Sequence, residues 1–421
     1  MIWSNSLRAL RSRNYRLFFG GQSISLIGTW MTRIAMSWLV YRLTNSALLL
    51  GIIGFAGQIP AFFLSPLAGV WIDRWDRRRT LIWTQVLSLL QSGALAWLTL
   101  SGTVTIRSLM FLAAFQGLIN AFDMPARQSF VVEMVEQRTD LSNAIALNSS
   151  MVNGARLIGP AVAGVVIAAV GEGYCFLIDA ISYVAVVLSL LAMRTQPAAK
   201  EVKRKRVLPE MAEGWRYVRE SSAIRGILIL LALVSLVGSP YSVLMPMLAG
   251  GVLHGGAHTL GFLMAASGVG ALTSAISLAV RKSVVGLGKM IAISSGMFGA
   301  ALILLGLAKV FWLALLLMLF TGFGMMQQMA ASNTILQTIV ADDKRGRVMS
   351  FYTLAVLGLM PFGSLLAGSL AARIGAPATL IWGGIVCVAG SLWFTRELPR
   401  LRETVRPIYR TLGILPAGIE T

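Results

Sequence analysis

Apolar runs of about 20 residues, the length a helix needs to cross a bilayer, recur from one end of this 421-residue chain to the other. No other feature restricts the fold as much. Inside hydrocarbon every backbone N–H and C=O must be paired within its own segment, so such runs become helices. Twelve can be drawn, at about 16–41, 47–71, 80–100, 107–134, 142–170, 174–194, 223–249, 259–281, 287–308, 311–338, 347–372 and 377–396. Charged residues make up only 13% of the chain, against roughly a quarter in a soluble domain. The expected fold class is therefore all-α integral membrane, multi-pass, with twelve transmembrane helices.

The formal net charge of +19 raises the question of nucleic acid. The distribution answers it. Arg42, Arg107, Lys309 and Arg373 fall between helices on one side, Arg33, Arg127 and Arg156 lie within helices, and the remaining Lys and Arg gather on the other side. That asymmetry orients a membrane protein, and short basic clusters separated by helices form no continuous groove for a nucleic acid. Arg8 to Arg16 at one end and Arg396 to Arg410 at the other are both basic, which places both termini in the cytoplasm and the protein in the cell (inner) membrane. The first apolar run is too long for a signal-peptide core, so it is expected to stay as a helix. Cys175 and Cys387 sit in apolar helices and are expected to be buried small hydrophobes, unpaired by a disulfide.

A polar stretch at about 196–222 divides the chain into a six-helix bundle (1–195) and a second bundle with a basic tail (223–421). It opens on Pro197 and Lys203-Arg204-Lys205-Arg206. Met211, Trp215 and Val218 then recur at helical spacing, as in a short amphipathic helix on the membrane surface or an inter-domain linker. The halves look related. Phe115-Gln116-Gly117 matches Phe320-Thr321-Gly322, Leu50-Gly51 matches Leu260-Gly261, and Gly159-Pro160 matches Met360-Pro361, all 200 to 210 residues apart. Two internal repeats of this kind belong to transporters whose halves rock about a site near the bilayer midplane.

Between the second and third runs lies GVWIDRWDRRR, Gly69 to Arg79, with two acids and four arginines. A charged cytoplasmic turn would explain the charge alone. The Gly-x-x-x-Asp-Arg pattern resembles the loop signature of the major facilitator superfamily, through Gly69, Asp73, Arg74, Arg77 and Arg78. Asp76 stands where many members have a second glycine. Residues 123–164, with Pro125, Arg127, Gln128, Asn143, Leu147, Asn148, Ser149, Asn153, Arg156, Gly159, Pro160 and Gly164, resemble the drug and siderophore exporters of that superfamily, the enterobactin-exporter-like group. The resemblance implies two pseudo-symmetric six-helix bundles and a gating loop of Gly69, Asp73, Arg74, Arg77 and Glu133. It also implies that Asp73 caps the start of the eleventh helix near Gly346. The loop at Arg281 and Lys282 lacks the matching acid.

Ionisable side chains inside a membrane cost several kcal/mol and normally face a cavity or a partner. Arg33, Asp123, Arg127, Arg156 and Asp179 are the five within helices, all in the first half. Gln22, Ser25, Thr29 and Arg33 share one face of the first helix, Gln116, Asn120, Asp123 and Arg127 one of the fourth, and Ser149, Asn153, Arg156 and Pro160 one of the fifth. Such stripes line a water-filled cavity or bond packed helices together. Burial and a neighbouring guanidinium pull the Asp123 carboxyl in opposite directions, which suits a group that binds and releases a proton, although a permanent ion pair fits equally. Asp123, Arg127 and Arg156 are the proton-coupling candidates. Asp179 lies nearer a helix end, where the exporter branch tends to have Asn, and carries less weight. Gln22, Thr29, Arg33, Gln116, Asn120, Asn153, Gln327 and Gln328 are the substrate-binding candidates, the last two beside Met325, Met326 and Met329, whose thioethers suit a loosely specified apolar ligand. Gly159, Pro160 and Pro361 are the expected hinges.

No phosphate-binding loop exists: Gly286-Leu287-Gly288-Lys289 runs into Met290 with the wrong spacing. His254 and His258, four apart, lack a third ligand for metal. No cofactor and no enzyme activity is expected. The reading that joins these features is a proton-coupled exporter of small amphipathic compounds, acting as a monomer with membrane lipid, a small-molecule substrate and protons as partners. The alternatives are an importer or facilitator of an anionic metabolite or lipid, and a non-transporting membrane sensor built on a transporter fold.

Overall fold

The computed structural model describes residues 7–72, 74–194, 207–281, 283–411 and 413. Asp73, Pro197, the basic run 203–206 and Lys282 lie outside the described residues. Among those described, the chain is helical and has no strand. The first half folds into α1 (Arg13–Thr44), α2 (Ala47–Ile72), α3 (Arg77–Leu100), α4 (Ile106–Met134), α5 (Leu141–Val170) and α6 (Glu172–Ala192). There follow α7 (Val207–Glu220), α8 (Ser222–Leu233), α9 (Tyr241–Met247), α10 (Ala257–Ala279), α11 (Leu287–Leu307), α12 (Phe311–Ile339), α13 (Asp342–Thr353), α14 (Met360–Ile374) and α15 (Ala376–Thr411).

Among the described residues, eleven spans are long and apolar enough to cross a membrane. The 32-residue α1 makes the twelfth, its apolar character diluted by Gln22, Ser25, Thr29, Thr32 and Arg33. Two spans are not simple helices. The seventh runs through α8, a wide π turn at Val234–Gly238, α9 and a second π turn at Leu248–Val252. The eleventh joins α13 to α14 through a π turn at Leu354–Gly358. The turns at Val234–Gly238 and Leu354–Gly358 each lie just before a proline (Pro240 or Pro361), whose ring and missing N–H push the ladder from i–4 to i–5 bonding.

The last helix departs from expectation. The apolar run closes near residue 396 and predicts a basic tail beyond it, but α15 continues to Thr411. Leu398, Leu401, Val405 and Tyr409 recur at spacings of 3, 4 and 4 and are buried. That apolar stripe holds the extension helical despite Pro399 and Pro407.

Contacts divide the chain into two compact units: Met1–Val202 with Val243–Gly268, and Lys203–Ser242 with Val269–Thr421. In the first, α6 packs on α1 and α3, α4 on α2 and α3, and α5 on α1. Its apolar core gathers Tyr15, Phe18, Leu81, Phe130, Val186 and Leu190. In the second, α15 packs on α11 and α8, and α11 on α12. The pairs α3·α6 and α11·α15 are counterparts, which is the internal repeat expressed as packing. Glycines let backbones meet: a Cβ on Gly117 of α4 would stand 2.5 Å from the Gly57 carbonyl of α2, and one on Gly384 equally close to the Gly299 carbonyl. Small residues at such crossings are how membrane helices gain packing energy where lipid is as apolar as the side chains.

The amphipathic helix expected in the linker is α7. It docks on α13 inside the second unit. Glu213 pairs with Arg347 at 2.6 Å, Gly214 lies against Arg347 and Phe351, and the Trp215 and Phe351 rings are 6.0 Å apart.

A buried polar layer in the first unit as candidate functional site

Asp123 is 3% exposed. Its Oδ1 accepts from Thr84 Oγ1 at 2.9 Å and from Gln85 Nε2 at 2.7 Å, both on α3. Its Oδ2 accepts from Arg127 one turn along α4. Three donors on one buried carboxylate offset most of the desolvation that α3 and α4 impose on it. The pair is therefore turned into the bundle and not out toward lipid.

The other two arginines share an indole. Arg33 of α1 and Arg156 of α5 stand 4.8 and 5.8 Å from the Trp30 ring centre. Two cations over one ring are each favoured by its quadrupole but repel each other, and a ligand anion would relieve that repulsion. Arg33 is exposed and Arg156 half-buried. Gly159 permits the contact between α5 and α1, since a Cβ there would stand 2.5 Å from Trp30 Cβ. Pro160 is buried within α5, and Pro361 opens α14.

The remaining candidates divide by environment. Gln22 is buried in the packing of α1, and Thr29 Oγ1 lies 3.2 Å from the Tyr183 hydroxyl. Gln116 Nε2 donates to Ser88 Oγ and to Asn120 Oδ1, each at 3.3 Å. Asn153 donates to the Ser149 carbonyl of its own helix. In the second unit Gln327 and Gln328 are both buried. Gln327 accepts from Ser274 and Ser277 and donates to Met290 Sδ, a helix-to-helix tie.

The charged loop is built from helix ends. Asp76 is the N-cap of α3, accepting from the Arg79 amide at 3.0 Å, so the acid at the family's glycine position has a structural use. Arg78 donates to the Leu190 and Leu191 carbonyls at the end of α6, where a cation complements the helix dipole. Arg77 pairs with Glu133 at the end of α4 at 2.5 Å. Gly69 is half-buried and Arg74 exposed.

Two features escaped the reading of the sequence. Thr84, Gln85, Ser88, Gln91 and Ser92 form a buried polar stripe along α3, at the helical spacing that singled out α1, α4 and α5; the same test applied to the third run would have found it. Asp179 is 1% exposed, its Oδ2 accepting from Thr32 and Ser92 at 2.8 Å each. Its sequence position near a helix end gave no sign of that enclosure.

The fold and this polar layer can be set beside known proteins. A family model described as transmembrane secretion effector matches residues 4–408. The chain belongs to that family. As a transmembrane secretion effector of the major facilitator superfamily it is a membrane transporter and not an enzyme. It is 28% identical over 395 residues to the staphyloferrin A transporter of Staphylococcus aureus (strain NCTC 8325 / PS 47), covering 92% of this chain and 97% of that one. It is 28% identical over 397 residues to the multidrug efflux pump Tap of Mycolicibacterium fortuitum, covering 89% and 93%. The crystal structure of the nucleoside transporter NupG superposes with a TM-score of 0.68 at 14% identity, over 92% of this chain and 99% of that one, which speaks to the fold alone.

Proposed function

We propose that this secretion effector exports small amphipathic compounds, drugs or siderophore-like metabolites, in exchange for protons by alternating access between its two six-helix halves. The observation that carries the proposal is Asp123, a carboxyl buried in the bundle yet held by one removable cation and two neutral donors. Protonation releases Arg127 and deprotonation restores the pair, so one proton changes the charge of the polar layer. Efflux pumps among the relatives support the outward direction. The Arg77–Glu133 pair and Asp73 act as the gate, contributing no more than a few kcal/mol so that both states stay populated. The exporter works as a monomer in the inner membrane with both termini cytoplasmic.

Inverted membrane vesicles given an acid-inside gradient test this. They are expected to accumulate ethidium, and Asp123→Asn to abolish accumulation with normal membrane insertion. Accumulation that ignores the gradient would remove proton coupling from the proposal. The Arg33–Trp30–Arg156 cluster favours a second reading, import of an anionic metabolite or lipid; transport of a carboxylate in the opposite direction in the same vesicles would select it.

A further inference from the structure

Three buried acceptor atoms along α3 have no hydrogen-bond partner: Asp179 Oδ1, Gln85 Oε1 and Gln116 Oε1. Gln85 is on α3 itself, Gln116 reaches it from α4 at Ser88, and Asp179 from α6 at Ser92. At one end Asp123 takes Thr84 and Gln85. One turn on, Ser88 accepts from Gln116. Gln91 and Ser92 follow, and Ser92 Oγ reaches both Gln91 Oε1 at 3.3 Å and Asp179 Oδ2 at 2.8 Å. From Thr84 to Ser92 the helix rises about 12 Å, a substantial part of a hydrocarbon core of about 30 Å.

Acceptors are left over here at a carboxyl and at two amides, so the stripe has room for donors beyond those that tie its helices together. A buried carboxylate with one oxygen unpaired is costly, and a proton on that oxygen removes the charge. The α1 backbone closes over it: a Cβ on Gly28 would stand 2.7 Å from Asp179 Oδ1.

We propose that Asp179 is a second proton-binding carboxyl, and that the α3 stripe, with water bound to its spare acceptors, carries the proton between Asp179 and Asp123. The inference rests on the proton-coupled reading above. Each hydroxyl or water accepts one proton and gives up another, so one proton leaves one carboxyl and arrives at the other with no change in electrons. The titratable groups that interact with Asp179 are Arg33 on α1 and Tyr183 and Cys175 on α6. From α5, Arg156 acts through Arg33. The part of α3 that faces Asp179 brings only the neutral Ser92 and Gln91.

Infrared pH titration of the full-length protein in lipid vesicles tests the path without any substrate. Against the bands of its other acids, the wild type is expected to show two carboxylic C=O bands that single substitutions remove from the difference spectrum, one lost in Asp179→Asn and the other in Asp123→Asn. Ser88→Ala, which touches neither acid, is expected to keep both bands and slow their equilibration after a pH jump by about a hundredfold, the scale on which a positioned proton-transfer group acts; Ser88→Thr restores the rate. A carboxyl spectrum unchanged by Asp179→Asn, or wild-type equilibration in Ser88→Ala, overturns the path. Should Asp179→Asn fail to fold, the Ser88 pair decides. Loss of ethidium accumulation in Asp123→Asn is read separately, so a failed path leaves the exporter reading standing.

Discussion

At the scale of single residues, the first unit is decided by which atoms tolerate close approach. Gly28 has Asp179 Oδ1, Ser182 Oγ and Asp179 Cα all within 3.0 Å of where a Cβ would stand. Gly28→Ala is therefore expected to destabilise the protein by about 1–3 kcal/mol through overpacking. Gly20, on the same helix with nothing within 4 Å, is the control. There alanine is expected to be neutral or to stabilise by up to about 1 kcal/mol, the helix-propensity difference. Thermal unfolding of the two variants in detergent measures both. A similar loss of melting temperature in the two would show that the Asp179 contact is not tight.

At the scale of elements, the informative helix is α7, which sequence alone could leave on a lipid surface or in a linker. The structure gives it a platform on α13. Glu213 is half-exposed in its ion pair with Arg347, so Glu213→Ala is expected to cost at most about 1 kcal/mol. Phe351 carries the apolar part of the contact, against Trp215 and Gly214. Phe351→Ala is accordingly expected to lower amide hydrogen-exchange protection across 207–220 much more than Glu213→Ala. Equal protection in both variants would place the helix elsewhere. The α15 extension follows the same rule, since an apolar stripe with a surface to cover continues a helix past two prolines.

At the scale of the whole molecule, two related bundles share one way of packing, and their cysteines report on it. Cys175 and Cys387 are each fully buried and free, in α6 and α15, the counterpart helices that pack against α3 and α11. Neither is expected to react with a membrane-impermeant maleimide in native vesicles, and both are expected to react after denaturation, as read by intact mass. Labelling of either in the native state would mean that the helix pair holding it opens.

Much of this was written along the chain itself. Bilayer thickness and backbone hydrogen bonding leave a long apolar run no alternative to a helix, so the twelve spans, the repeat and the charge asymmetry are local properties that composition expresses directly. The loop motif and the exporter-like segment were enough to name the superfamily. Which polar residues meet was another matter. Asp123 and Arg127 pair within one helix and are legible from spacing, but Thr84 and Gln85 reach Asp123 only because α3 packs on α4. Asp179 became a buried centre only when α1, α3 and α6 closed around it. Gln22 and Gln327 look the same in sequence as residues lining water, and only the tertiary packing buried them. Hydrophobicity is a sum over neighbours in the chain, whereas burial of a polar atom is a sum over neighbours in space.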